Sequence, residues 1–156
     1  MRCLKNSKFK KYTEVDIRPV EERDIKKIFK WRNEPNVRKH MFASRRITWR
    51  EHVKFWESLL TNKTRFAFII KACGEDCGVA RLDRKADNSA EVDIFLSTPY
   101  QGKGIGSKAL KKLGKKAKEL SIKKLIAKVK PDNKPSIKMF EKNGFRVKYL
   151  VYERKN

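Results

Sequence analysis

A glycine-rich segment, residues 101–106 with the sequence QGKGIG, has the residue types and spacing of a site for a diphosphate. It follows a strand-like run, residues 91–96, and it precedes a helix-like run, residues 107–120. In a strand–loop–helix unit, successive backbone N–H groups and the helix dipole converge on one point, and glycines let the backbone approach a ligand closely. The segment therefore predicts an anion site at the start of this helix.

The glycine spacing separates this segment from two common phosphate loops. Glycines fall at positions 102, 104 and 106. A P-loop needs two glycines five positions apart followed by Lys-Ser or Lys-Thr, and a dinucleotide fingerprint reads Gly-x-Gly-x-x-Gly. The pattern Gln-x-x-Gly-x-Gly after a strand resembles instead the coenzyme A loop of the GNAT (GCN5-related) N-acetyltransferases. A glycine-rich turn that binds nothing is the alternative interpretation.

A second segment, residues 132–145, carries the same resemblance. Asp132 or Asn133 can cap a helix there, and Asn143-Gly144 suits its end. GNAT proteins have an Asn, a small residue, a Tyr-Glu-Lys and a Gly-Phe at the corresponding places. Because both segments occur in the right order and spacing, the chain is identified as a member of this superfamily over residues 17–145.

The resemblance implies acetyl-CoA as co-substrate and no metal. The main chain of Ile94, Phe95 and Leu96 would pair with the pantetheine arm as an added strand does, and an N–H near Leu96 would polarise the thioester carbonyl. The pyrophosphate would lie on the loop residues Gln101, Gly102, Lys103, Gly104, Ile105, Gly106 and Ser107, with Lys103 and Lys108 adding charge. In the second segment, Asn133 would bond the pantetheine, and Ser136 and Phe140 would line the cofactor site.

The general acid departs from the family pattern. A tyrosine usually stands at the position of Phe140, and its hydroxyl is thought to protonate the departing thiolate, which a phenylalanine cannot do. Tyr149, from a following strand, is the replacement that we expect, and Ser136 is a weaker candidate. Protonation by water is the remaining alternative.

Several residues are eligible as the base that deprotonates the amine. Glu91 ranks first, since some GNAT enzymes carry their base near this place, and Asp93 points to the same face of the strand. His40 and His52 titrate near neutrality and are eligible as well.

The acceptor side of this fold is the N-terminal third of the chain. Arg32, Asn33, Arg38, Met41 and Phe42 resemble the substrate residues of two branches. One branch acetylates an amino group on nucleotide-linked sugars, as in the pseudaminic acid pathway, and the other acetylates ribosomal-protein N-termini. The pattern looks more like the sugar branch, in which arginines such as these could bind a diphosphate in a bidentate manner.

The predicted function is therefore transfer of acetyl from acetyl-CoA to a primary amine on an anionic small molecule, with a nucleotide-linked amino sugar as the first candidate. A peptide or ribosomal-protein N-terminus is the alternative acceptor. A non-catalytic module that binds coenzyme A or nucleic acid is the alternative from another class.

The composition limits the remaining possibilities. The 156 residues suit one domain, residues 14–156, after a basic extension, residues 1–13. No run approaches the ~20 apolar residues of a membrane span, and no signal core precedes the domain, so we expect a cytoplasmic protein without membrane contact. Forty-one Lys and Arg against 18 Asp and Glu give a formal charge of +23. This charge favours anionic ligands, a nucleic acid or ribosome among them, or reflects a thermophile's surface.

The cysteines are too few for a disulfide framework. Cys73 and Cys77 flank a hairpin turn, and we expect two reduced thiols there, with a bridge across the hairpin as the alternative.

The hydrophobic periodicity predicts an α/β fold with a mixed sheet and the order β-α-α-α-β-β-β-α-β-α-β. The expected strands cover residues 15–20, 65–72, 77–83, 90–96, 125–129 and 147–153, and the expected helices cover 24–32, 36–41, 48–60, 107–120 and the run after 132. GNAT domains usually have two strands after the Gly-Phe, whereas residues 147–153 provide one. The last strand is therefore missing, very short, or supplied by a second subunit in a homodimer.

Overall fold

A five-stranded mixed sheet forms the centre of the computed structural model, which describes residues 12–154. The expected basic extension lies almost wholly outside these residues. Strands β1 to β4 form an antiparallel meander, and β5 pairs with β4 in parallel after a helical crossover. The strands are β1 Val15–Pro19, β2 Arg65–Ala72, β3 Glu75–Arg84, β4 Ser89–Leu96 and β5 Lys124–Ala127.

Five helices connect and cover the strands, which confirms the predicted fold class. They are α1 Ile25–Arg32, α2 Pro35–Arg38, α3 Trp49–Thr61, α4 Ile105–Glu119 and α5 Lys134–Lys142, with short 3-10 turns at Glu22–Asp24 and Thr98–Tyr100. Helix α3 begins with the capping box that its sequence predicts: Thr48 Oγ1 accepts from the Glu51 amide at 3.2 Å, and Glu51 Oε2 accepts from the Thr48 amide at 2.8 Å. The second helix is shorter than the expected range 36–41.

The core lies on both faces of the sheet because successive side chains of a strand point to opposite sides. On one face, Ile70, Leu82 and Leu113 belong to a cluster beneath α4 and α5. On the other face, Ile69 and Trp56 belong to a cluster beneath α1 and α3. The central strands therefore separate two layers. We refer to the layer of α4 and α5, which carries the expected cofactor loop, as the cofactor side, and to the layer of α1 and α3 as the acceptor side. Within residues 12–154, no helix is both long and apolar enough to cross a membrane.

The strand predicted for residues 147–153 is wrong. This segment has no regular structure, and its apolar side chains are exposed, with Val151 84% accessible. Alternating apolar residues form a strand only where a neighbouring strand is available for hydrogen bonding. Within the described chain, β5 is the last strand of the sheet and pairs with β4 alone, so residues 147–153 have no strand partner.

The cysteines at the hairpin between β2 and β3 agree with the expected reduced thiol at Cys77 but not at Cys73. Ala72 pairs with Glu75, so the turn residues are Cys73 and Gly74, and both have positive φ, as a type I′ turn requires. Cys77 is a free buried thiol, and burial raises its pKa to about 12. A bridge across the hairpin is therefore absent, whereas Cys73 itself is disulfide-bonded and is not the reduced thiol expected.

Candidate active site

An open strand edge lies where β4 and β5 separate. The two strands pair from Ser89 opposite Lys124 to Val92 opposite Ala127. Strand β4 continues to Leu96, where its other edge is still paired with β3. Residues 93–96 of β4 therefore lie beside a cleft with no strand partner on that side, and every second residue points its backbone groups into it. An extended ligand can add to such an edge as a strand does. Of the three residues expected to contact pantetheine, Ile94 and Leu96 point their backbone groups to this edge, whereas Phe95 points its backbone groups to β3.

The direction of the backbone groups follows from the antiparallel pairing with β3. The Ser97 amide donates to Cys77 O at 2.9 Å, so the amides of Leu96 and Ile94 face the opposite edge, toward the cleft. Leu96 O also faces that edge and accepts from Gln101 Nε2 at 2.9 Å. Gln101 thus fixes the loop to the end of β4. Its own amide donates to Thr98 O, so it is not among the loop amides left for a ligand.

The loop before α4 presents a series of backbone amides without protein acceptors. Gly102 and Gly104 have φ of +70° and +75°, and a Cβ at either position would meet nothing within 4 Å. The backbone conformation, rather than crowding, is therefore what requires glycine. Within the described chain, the amides of residues 102–107 donate to no acceptor. Because these amides lie at the N-terminus of a 15-residue helix, they have the arrangement that an anion site requires.

Other residues of this loop serve packing. A Cβ at Gly106 would lie 2.8 Å from Met139 Sδ, so this glycine lets α5 approach α4. Ser107 Oγ accepts from Asn143 Nδ2 at 2.8 Å, which joins the same two helices. Lys103 and Lys108, the expected charged partners of the pyrophosphate, bond backbone carbonyls of the protein. Lys103 Nζ donates to Pro99 O and Lys108 Nζ donates to Tyr12 O, both at 2.6 Å.

The second segment also contributes mainly structure. Asn133 Oδ1 accepts from the Ser136 amide at 3.3 Å and caps α5. Phe140 is 7% exposed and packs edge-to-face on Phe145, with ring centroids 5.0 Å apart, inside the cofactor-side core. A phenylalanine at this position therefore fills the core. Ser136 is partly buried.

Glu91 and Tyr149, the two expected catalytic residues, both lie near Lys128. Glu91 Oε2 is 3.0 Å from Lys128 Nζ and 3.6 Å from Lys85 Nζ. Burial opposes ionisation of Glu91, but the hydrogen bond and charge of Lys128 outweigh it and lower the pKa of this carboxyl. The pKa of Lys128 is raised, chiefly by Glu91 and further by Tyr149. Tyr149 is 67% exposed and lies on the segment without a strand.

The other candidate bases are already engaged or buried. His52 is buried and its Nε2 donates to Ile25 O at 2.8 Å, which connects α3 to α1. Burial lowers the pKa of both His52 and His40, so both imidazoles are neutral at pH 7. Asp93 forms an ion pair with Arg81 at 3.2 Å.

The residues expected to bind the acceptor hold the loop formed by residues 39–47 in place. Asn33 is buried, and its side chain accepts from the Ile47 amide at 2.9 Å and donates to Ile47 O at 3.0 Å. Arg38 donates to Asn33 O and Ser44 O, so these two residues shape the loop. Met41 is partly exposed and Phe42 is 68% exposed.

Arg32 differs from the other arginines of this region. Its Nη2 donates to Ala43 O at 2.8 Å, whereas its Nη1 is buried and has no hydrogen-bond partner in the described chain. Burial lowers the pKa of Arg32, and the charge of Asp93 on β4 opposes this effect. Arg45, by contrast, is held by both carboxylate oxygens of Glu51, at 2.6 and 3.1 Å.

Sequence reasoning missed Glu34, which joins the acceptor side to β4. Its Oε1 accepts from Ser97 Oγ at 3.0 Å, and its Oε2 accepts from the Thr98 amide at 2.7 Å and from Thr98 Oγ1 at 2.5 Å. The turn between α1 and α2 is thereby fixed to the segment that leads from β4 into the glycine loop. A glutamate before a proline indicates a helix start, and nothing local could indicate a partner 63 residues away.

Comparisons with known proteins agree with this architecture. The sequence model described as "Acetyltransferase (GNAT) domain" matches residues 14–146. Acetyltransferase PseH of Campylobacter jejuni strain 81-176 is 27% identical over 90% of this chain and 85% of its own length. Spermidine N(1)-acetyltransferase of Escherichia coli K12 is 26% identical over 85% of this chain and 73% of its own length.

A solved structure shares the fold at lower identity. The ribosomal L7/L12 alpha-N-protein acetyltransferase RimL, in complex with coenzyme A, superposes with a TM-score of 0.77 at 18% identity, over 90% of this chain and 85% of the other. Within residues 12–154, no group of three or more His, Cys, Asp or Glu side chains could hold a metal ion. Since the family model covers most of the sequence, and the open β4 edge and glycine loop supply the geometry, the chain belongs to the GNAT family and is an N-acetyltransferase of the class that uses acetyl-CoA.

Proposed function

We propose that this enzyme acetylates a primary amine on an anionic small molecule, with a nucleotide-linked amino sugar as the first candidate. The carrying observation is Arg32, whose buried Nη1 has no hydrogen-bond partner among residues 12–154. A buried guanidinium N–H without an acceptor is costly, and a phosphate or carboxylate of the acceptor would relieve that cost. The resemblance of residues 31–42 to the nucleotide-sugar branch supports the same acceptor.

The acetyl donor would lie along the cofactor side. The pantetheine of acetyl-CoA would pair with β4 beyond Val92, and the pyrophosphate would meet the amides of residues 102–107. The Leu96 amide faces the cleft and would polarise the thioester carbonyl, because a fixed N–H donor stabilises the negative charge that develops on the carbonyl oxygen.

Glu91 and Tyr149, which both lie near Lys128, are proposed to carry out the proton transfers. Glu91 is ionised at neutral pH and can accept the proton of the ammonium, although its lowered pKa makes it a weaker base than an ordinary carboxylate. Tyr149 would return a proton to the thiolate of coenzyme A. Phe140 has no hydroxyl and is buried in the core, so it takes no part in this transfer.

Kinetics with matched arginine variants test the acceptor. Thiol release from acetyl-CoA is measured with a uridine-diphosphate amino sugar, spermidine, a neutral amino sugar and a peptide with a free N-terminus. We expect Arg32→Met to lower kcat/KM for the anionic sugar about 10- to 100-fold, the worth of one or two charge-assisted hydrogen bonds, and to change the neutral sugar little. Arg45→Met is the control, since that arginine is already paired with Glu51.

Two outcomes would contradict the proposal. Spermidine turnover that exceeds that of every anionic amine at physiological ionic strength would exclude the anionic acceptor. Equal losses in the Arg32 and Arg45 variants would show that Arg32 acts through the loop structure and not through the acceptor.

A further inference from the structure

The positive charge of the chain is concentrated in the segment that forms the cofactor side. Residues 103–148 contain sixteen lysines and arginines against three acidic residues, whereas residues 12–102 contain eighteen against fourteen. Residues 12–102 therefore carry nearly equal numbers of positive and negative side chains. The excess charge needs an explanation that involves α4, β5 and α5.

A row of lysines on α4 is responsible for a distinct part of this excess. Lys111, Lys115 and Lys118 are exposed and follow one another at spacings of four and three residues, which places them along one face of the helix. We refer to these three residues as the lysine row. Their neighbours Lys112 and Lys116 pair with Asp16 and Glu119. No acidic side chain among residues 12–154 pairs with the lysine row.

The cofactor does not account for the lysine row. With a rise of 1.5 Å per residue, the row extends from about 10 Å to about 21 Å beyond the glycine loop. The Debye length at physiological ionic strength is about 8 Å, so these charges contribute little at the pyrophosphate.

A thermophile's ion-pair surface does not account for it either. Such surfaces combine both signs in networks, whereas the lysine row lacks acidic partners. Three like charges on adjacent turns repel one another, so the row costs stability unless an anion neutralises it.

We propose that the lysine row is a docking surface for the phosphate backbone of a nucleic acid. The row lies on two consecutive turns of α4, whose apolar side chains are all buried. A surface of lysines alone contacts phosphates without reading bases, so the expected binding is independent of sequence and sensitive to salt. An anionic membrane would require apolar anchors beside the lysines, and α4 exposes none.

Anisotropy titrations of the full chain with a labelled single-stranded RNA of mixed sequence test the proposal. The parent should bind with a linear dependence of log Kobs on log salt. In the triple variant Lys111→Ala, Lys115→Ala, Lys118→Ala, the magnitude of this slope should decrease by about 2, since each neutralised phosphate contributes roughly 0.7 for single strands. Its affinity should fall at least tenfold at 0.1 M salt, while its affinity for coenzyme A stays within twofold of the parent.

The matched control changes the net charge equally on the other face. Lys26→Ala, Lys30→Ala, Lys54→Ala removes three exposed lysines of α1 and α3. Equal losses in both triple variants, or an unchanged slope in the α4 variant, would overturn the proposal. Tighter binding of poly-glutamate or of phosphatidylserine vesicles than of RNA would overturn the assignment to nucleic acid. Coenzyme A affinity reports on the proposed acetyl transfer separately, so failure of one proposal is distinguishable from failure of the other.

Discussion

Single glycines of the loop 101–106 have different reasons for lacking a side chain. Gly104 has a left-handed backbone and open space around its Cα, so its requirement for glycine is conformational. Gly106 lies within helix α4 and its role is the close approach of Met139. At the scale of the residue, the loop therefore needs glycine at position 104 for its backbone conformation and at position 106 for packing. Substitutions at the two positions should have different effects.

We predict that Gly104→Ala weakens coenzyme A binding about tenfold, because a residue with a Cβ costs about 1 kcal/mol in the left-handed region and the loop will relax away from it. Gly106→Ala should mainly lower the melting temperature through the clash with Met139. Isothermal titration and thermal unfolding measure the two effects. Gly114→Ala is the control, since its Cβ would meet nothing, and it should stabilise α4 by about 0.5–1 kcal/mol. If Gly104→Ala binds coenzyme A as tightly as the parent protein does, the assignment of the pyrophosphate to the loop 101–106 is wrong.

At the scale of the elements, Glu34 determines how the acceptor segment sits on β4. The turn between α1 and α2 directly follows Arg32, the last residue of α1, and three hydrogen bonds from Ser97 and Thr98 to Glu34 fix this turn. Gln101 fixes the other side of the same β4 end. The distance between a bound amine and a bound thioester therefore depends on contacts between elements that are far apart in the chain.

We predict that Glu34→Ala lowers kcat/KM for the acceptor about 10- to 100-fold, since displacements near 1 Å cost that much in rate, with little change in coenzyme A affinity. Glu34→Gln should restore most of the loss, because an amide can accept from Thr98 and donate to Ser97 Oγ. Glu51→Ala removes a comparable carboxylate cap from α3 and serves as the control. If both alanine variants change only the melting temperature, Glu34 has no positioning role.

At the scale of the whole molecule, one buried ion-pair cluster joins the N-terminal elements to the sheet. Asp24 is 1% exposed, and Arg18 of β1 donates to its two oxygens at 2.7 and 2.8 Å. Arg18 and Lys27 also bond Asp76 of β3. Burial alone would raise the pKa of Asp24, but the hydrogen bonds from Arg18, the Glu21 amide and Lys27 outweigh it and hold this pKa well below its usual range.

This depressed pKa makes the fold sensitive to acid. Because the unfolded state binds the proton more readily, Asp24 contributes stability above its unfolded pKa of about 3.9, and the contribution is lost as pH falls toward the folded value. We predict that Asp24→Asn destabilises the protein by about 3 kcal/mol at pH 7, the usual cost of breaking a buried pair. The loss should shrink below pH 4. Unfolding followed by circular dichroism from pH 2 to 7 measures this, and the exposed Glu57→Gln is the control; a loss independent of pH would contradict the argument.

Local signals in the sequence are sufficient to predict several structural elements. The sequence predicts the capping box at Thr48, a hairpin turn before β3 and the glycine loop before α4, because the determinants of each lie within four residues of one another. The turn itself is Cys73-Gly74, shorter than the expected residues 74–76. The two motifs that resemble the GNAT family also determined the family itself, which the family model confirms. The roles of Glu91 and Tyr149 stay predictions.

Tertiary structure decided what depends on partners distant in the chain. The pattern of residues 147–153 indicates a strand, but strand formation requires a neighbour, which the described chain does not place there. The sequence aligned Phe140 with a catalytic tyrosine, whereas packing on Phe145 puts its ring in the core. Glu34 bonds Ser97 and Thr98 just beyond β4, and the Arg32 Nη1 is buried, because groups far apart in the chain come together only once the sheet has formed. The open edge beyond Val92 likewise exists only because β4 and β5 diverge in the folded sheet.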